Sequence, residues 1–189
     1  MNADLLVYQA KAFYNAYIAL DQLSRDDSDT LLLLFAPLVV NGAFSVELAL
    51  KAILAKNQIE YGKEHNLLIL FQMLPKSFQQ ELWAYLIEKA PEYAGSEKGL
   101  DELILLSNAF VDWRYAFEGK PVPAIESRFL AAFANAAVHT MFSYYNADLL
   151  PATKTEPNNE IEQRFHENRE KCKEINLKMI QKKTKEHQL

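Results

Sequence analysis

The sequence predicts an all-α fold: a helical bundle of about five to six helices followed by a charged C-terminal helix. Three observations carry this. Glycines number five among 189 residues, while Ala and Leu, which lose little on entering a helix, are abundant. Apolar residues recur in helix-length segments, and the period-two alternation of a half-buried strand is missing throughout. Half of the residues are hydrophobic, enough at this length for one sizeable core.

The elements follow in order. Leu5, Ala12, Ala16, Leu20 and Leu23 fall near helical spacing and predict a first helix over 3–23. "SRDDSDT" (24–30) is an acidic connection. Pro37 suits the first turn of a helix better than its middle, so a long second helix is expected from there to about Asn57, with a short helical turn at 31–35. "HNLLILFQML" predicts a short helix ending before Pro75. "SFQQ" (77–80) has capping-box spacing and opens a helix to about Ala90. A helix over 100–118 is stopped by "GKPVP", and an Ala- and Phe-rich helix covers 122–149. Residues 1–150 thus form the body. "PATKTEPNN" reads as a linker over 151–159, and 160–186 as a charged amphipathic helix. In that last segment Ile161, Phe165, Asn168, Cys172, Ile175 and Met179 form a narrow heptad stripe, which fits a helix lying on the body, self-pairing, or a helix that frays in solution.

Composition excludes several classes. The apolar run "LLLLFAPLVVNGAF" is interrupted by Pro37, Asn41 and Gly42, so no membrane span is expected. The N-terminus lacks the pattern of a secretory signal, and Cys172 is the sole cysteine, which leaves no intrachain disulfide or cysteine-rich zinc site. A cytoplasmic location is the expectation. The net charge of −5 is uneven: residues 1–156 hold 12 basic and 19 acidic side chains, residues 157–189 eight and six. An acidic body is a poor general binder of phosphate backbones, so any RNA contact must be local. Gly-rich phosphate loops, Gly-x-Ser-x-Gly elbows and His-Glu-x-x-His helices are absent. Asp26, Asp27 and Asp29 lack the glycine and terminal Glu of a calcium loop. No metal and no cofactor is expected.

Two stretches concentrate polar chemistry. In "AFSVELALKAILA" (43–55), Val46, Leu48, Leu50, Ile53 and Leu54 point in nearly all directions, which predicts a central helix. Glu47 and Lys51 lie one turn apart and can pair, with Arg114 as an alternative partner for Glu47. In "AFVDWRYAFEG" (109–119), Asp112, Arg114, Tyr115 and Glu118 cluster around apolar rings. Arg114 is either locked between carboxylates (Glu47, Asp112 or Glu118) or presented to a phosphate with an aromatic beside it. His65, just before a helix start, is either a turn contact or a phosphate or proton-transfer group. His139 is expected to be half-buried and hydrogen-bonded.

Taken in order, "AFSVELALKAILA", "HNLLILFQMLP" and "AFVDWRYAFEG" resemble the HEPN domain, whose members carry a Phe-Ser-x-Glu-Leu-x-Leu-Lys helix, a His-(Asp/Asn)-Leu-x-x-Leu element and an Arg-Tyr helix end. The resemblance covers about residues 5–150. It implies an up-and-down bundle, often a homodimer, and a link to RNA cleavage, nucleotide binding, toxin–antitoxin pairs, phage defence and a nucleotidyltransferase-type partner protein. The catalytic members use an Arg followed, after four to six intervening residues, by His. No Arg of this sequence has that His; Arg114 is followed there by Gly119, Lys120 and Pro121. No catalytic residue is therefore assigned. A binding module for RNA, a nucleotide or a partner protein is expected, with Arg114, Tyr115, Glu118, Asp112 and His65 as candidate ligand residues. The alternatives are a divergent metal-independent ribonuclease using Arg114 with His65 or His139, and a purely structural bundle. A homodimer is also expected from the aromatic surface that Phe129, Phe133 and Phe142 would present.

Overall fold

The structure is a computed structural model that describes residues 3–25, 28–94, 97–115 and 124–145, with 28–32 as backbone only. Among these the chain forms α1 (Ala3–Ser24), α2 (Ser28–Lys56), α3 (Leu67–Met73), α4 (Lys76–Lys89), a 3-10 turn (Pro91–Tyr93), α5 (Glu97–Leu106), α6 (Ala109–Arg114) and α7 (Ser127–Tyr145), and no strand. The fold is an all-α bundle. The expected linker (151–159), the C-terminal helix (160–186) and Glu118 lie outside the described residues.

The registers give an up-and-down arrangement. Phe13 packs edge-on to Phe44 and Tyr17 lies against Gly42, so α1 runs antiparallel to α2. Leu130 also meets Gly42, and the Tyr145 hydroxyl donates to the Ala52 carbonyl at 2.9 Å, so α7 runs parallel to α2. Tyr85 stacks on His139 and Phe78 meets Tyr144, which sets α4 antiparallel to α7. Gly42 is the close-approach point, since a Cβ there would sit 3.0 Å from Tyr17 Cδ2 and 3.1 Å from Leu130 Cδ1.

Helix α2 is central, as its all-round apolar character predicts. Val46, Leu48, Leu50, Ile53 and Leu54 are all buried. Its N-terminal part differs from expectation: the helix begins at Ser28 and runs through Pro37. Pro37 forfeits one intrahelical hydrogen bond, and burial on both sides of the apolar run outweighs that loss. The segment Leu33–Lys56, whose most apolar 18 residues have mean hydropathy 1.8, is long and apolar enough to cross a membrane by length and composition. More than half of it is buried within the bundle, which accounts for that hydropathy.

Four other expectations are corrected. In α1 the buried stripe is Leu6, Val7, Ala10 and Tyr17, while Leu5 and Leu23 are exposed. The 100–118 helix is two helices, because the Ser107 carbonyl accepts from Leu67 N–H at 2.8 Å and Asn108 Oδ1 from Asn66 Nδ2 at 3.0 Å. Helix α4 starts at Lys76 without a side-chain cap; the Gln79 amide instead closes the end of α3, donating to the Gln72 and Leu74 carbonyls. Phe129 and Phe133 are buried and Phe142 is half-buried, since α7 is covered by both α2 and α4. Phe129 and Phe133 therefore do not form the exposed aromatic surface expected of them.

Candidate functional site

The stripe Phe44–Glu47–Lys51 along α2 organises the polar chemistry, because residues three or four apart share a helix face. Phe110 of α6 stacks on Phe44 at 4.3 Å. One turn on, Glu47 is 1% exposed and Lys51 7%. Glu47 Oε1 accepts from Lys51 Nζ at 2.7 Å and from His65 Nδ1 at 2.9 Å. Glu47 Oε2 is buried and meets no hydrogen-bond partner among the described residues. Lys51 Nζ also lies 5.4 Å from the Tyr61 ring centre. Burial first, and the Glu47 charge second, raise the Tyr61 hydroxyl pKa.

The loop between α2 and α3 delivers His65 to this stripe. Gln58 adopts φ 57° just past the end of α2, and the Gln58 and Ile59 amides return to the Ala55 and Leu54 carbonyls. That is a Schellman closure with Gln in the position that favours Gly. Gly62 takes the second left-handed turn, φ 54°. Glu64 Oε1 then accepts from the His65 and Asn66 amides, and Asn66 caps α3 through Ile69 N–H. The His65 side chain ends half exposed, at 51%. A carboxylate can only accept, so the shared hydrogen sits on Nδ1 and the neutral ring keeps its lone pair on Nε2. This pairing can hold an imidazole in one tautomer and orientation.

Arg114 stands apart from that network. It is exposed at the end of α6, with its guanidinium 4.8 Å from the Phe110 ring centre and 4.7 Å from that of Tyr115. Nη2 donates to the Tyr115 hydroxyl at 3.0 Å. No ion pair joins Arg114 to Glu47 or to the half-buried Asp112 among the described residues. The expected Glu47–Lys51–Arg114 network is therefore Glu47–Lys51–His65, and the arginine is not locked between described carboxylates. Helix direction explains this: Phe110 sits at Phe44 while Trp113 reaches Phe35, so α6 leads away from Glu47. His139 is exposed, not half-buried, and stacks on Tyr85 at 3.9 Å across α4 and α7. No group of three or more His, Cys, Asp or Glu side chains that could hold a metal ion occurs among the described residues.

The sequence missed Phe110 and Tyr61 as neighbours of the charges. The stacking of Phe110 on Phe44 could have been sought in the aromatic residues flanking each motif.

No curated protein and no solved structure matches the chain. One family model does, over a span from Leu38 in α2 to Arg128 in the first turn of α7 that takes in both polar centres and excludes α1, narrower than the resemblance in the sequence. Residues 38–128 of this chain are a HEPN domain.

Proposed function

We propose that the protein is a HEPN binding module for a phosphate-bearing ligand, a nucleotide or a short stretch of single-stranded RNA, with Arg114 and Tyr115 as the contact point. One observation carries this: an exposed guanidinium with no carboxylate partner among the described residues, backed by two aromatic rings. A guanidinium offers two parallel donors to a phosphate, and an exposed tyrosine ring offers a face on which a base can stack. The acidic body favours a small or local ligand over a long phosphate track.

The test is fluorescence anisotropy with a labelled single-stranded RNA oligomer, and calorimetric titration with ATP. Arg114→Ala should weaken binding by about tenfold or more, on the order of 1.4 kcal/mol. Stability should change by less than about 1 kcal/mol, the scale of an exposed cation–π contact. Arg114→Lys should recover only part of the affinity, because Lys lacks the planar fork. Equal binding by wild type and Arg114→Ala, or no binding of either ligand, would refute the proposal.

A second reading, RNA cleavage, is favoured by the His65–Glu47 pair alone. An imidazole oriented by a carboxylate is the arrangement of a general base. Cleavage of the same oligomer by wild type, lost in His65→Ala, would establish it; intact RNA would leave the binding reading.

A further inference from the structure

Helices α3, α4 and α5 enclose an open groove of about 590 Å³ that no part of the HEPN reading uses. Phe71, Trp83, Ile87 and Leu100 form its walls, and Lys76 and Gln79 stand at its rim. The groove depends on Gly99. A Cβ there would come within 2.9 Å of Trp83 Cζ2, so the missing side chain lets α5 lie against the indole. The apolar surface continues past the groove. Leu100 is 48% exposed, Ile104 on the next turn of α5 is 49% and Ile69 on α3 is 43%. A soluble surface rarely gathers large apolar side chains in this way without a partner.

The charge at the rim narrows the partner. Among the described residues, Lys76 is the only charged one lining the groove. Its ammonium donates to the Gln79 side-chain oxygen at 3.1 Å and pairs with no carboxylate among the described residues. Gln79 is itself fixed by its two bonds to the end of α3, so the ammonium is tethered at one end of the apolar floor. Lys76 also opens α4, where the positive end of the helix dipole adds to its charge.

We propose that this groove docks an amphipathic helix of a partner protein. Apolar side chains at i, i+3 or i+4 and i+7 lie on Trp83, Leu100 and Ile104, and a carboxylate at one end meets Lys76. A helix fits better than a small molecule, because the apolar strip runs on beyond the cavity as an open face, the geometry of helix-in-groove recognition.

The experiment uses the full chain with Trp113→Phe, which leaves Trp83 as the sole tryptophan. Two designed amphipathic helical peptides of identical composition, about five turns long, carry their Glu and Lys at opposite ends of the apolar stripe. The peptide that brings Glu to Lys76 should bind saturably and shift Trp83 emission. Lys76→Glu should weaken it by about tenfold or more and reverse the preference between the two peptides. Leu100→Asp should abolish binding of both while circular dichroism keeps its helical signal. Three results would overturn the proposal. The first is absence of binding. The second is equal binding of both peptides, unaffected by Lys76→Glu. The third is a Trp83 shift that grows with protein concentration alone, with light scattering at twice the chain mass; the occupant would then be a second copy.

Discussion

Replacing Glu47 by Gln keeps the shape of the side chain and removes the charge that holds both Lys51 Nζ at 2.7 Å and His65 Nδ1 at 2.9 Å. The ammonium of Lys51, 7% exposed, is left without a counter-charge. Breaking a buried pair from one side costs about 3–5 kcal/mol. The lower figure, about 3 kcal/mol, applies here because the His65 edge of the network is open to water. Urea unfolding followed by circular dichroism reads this directly. With a slope of about 2 kcal/mol/M, the midpoint should fall by about 1.5 M. The companion variant, Glu47→Gln with Lys51→Met, removes both charges and should recover most of the loss, to within about 1 kcal/mol of wild type. His65→Ala should cost only about 1 kcal/mol, since a hydrogen bond to a charged acceptor is weakened by that exposure. A loss below about 1 kcal/mol for Glu47→Gln, or a double variant less stable than the single, would refute the premise that the network is a buried, mutually compensating unit.

Three further outcomes follow from local geometry. Gln58→Gly should raise stability by about 0.5–1 kcal/mol, because Gly meets no Cβ penalty at the left-handed closure of α2; an unchanged urea midpoint would contradict this. Gly42→Ala should lower stability by about 1 kcal/mol, the overpacking against Tyr17 and Leu130 exceeding the gain in helix propensity; a more stable variant would show that α1 and α7 yield. The Tyr145 hydroxyl is pushed from 10.0 up to about 12, by burial first and then by Asp4, Tyr144 and Tyr61. The unfolded chain releases this proton first, so stability holds at neutral pH and falls as pH rises from 10 towards 12. Tyr145→Phe should flatten that fall in urea midpoints measured across the range, and an unchanged slope would remove Tyr145 as a cause.

What the sequence made legible was what depends on near neighbours. The central place of α2 followed from apolar residues on every side, and the Glu47–Lys51 pair followed from their four-residue spacing. What depended on distant groups stayed hidden. The division between α5 and α6 rests on the Leu67 amide capturing the Ser107 carbonyl, a bond that no local pattern announces. His65 reaches Glu47 across an 18-residue separation, through a loop whose course is set by a Gln in a left-handed turn. Arg114 had three candidate carboxylate partners, Glu118 by spacing, Asp112 by proximity in the sequence and Glu47 on a neighbouring helix, and only the direction of α6 along α2 placed it away from Glu47. Phe129 and Phe133 read as surplus surface because an Ala-rich helix looks one-sided; α7 is gripped from two sides, and its alanines mark close approach.

The central position of α2 also bears on how the chain meets its surroundings during synthesis. Helix α1 precedes it and can cover one side at once, but α7 begins about seventy residues after α2 ends. At about 5–20 residues per second the emerging helix waits on the order of 4–14 s for its second cover. Throughout that interval a 24-residue segment apolar enough for a bilayer stands half dressed in water. Glu47 and Lys51 both fall in its C-terminal half, where each charge adds to the cost of insertion, up to about 2.5–3.5 kcal/mol at the centre of a span. The same two residues that pair inside the finished bundle thus weigh against the nascent helix leaving water for lipid before its partners arrive.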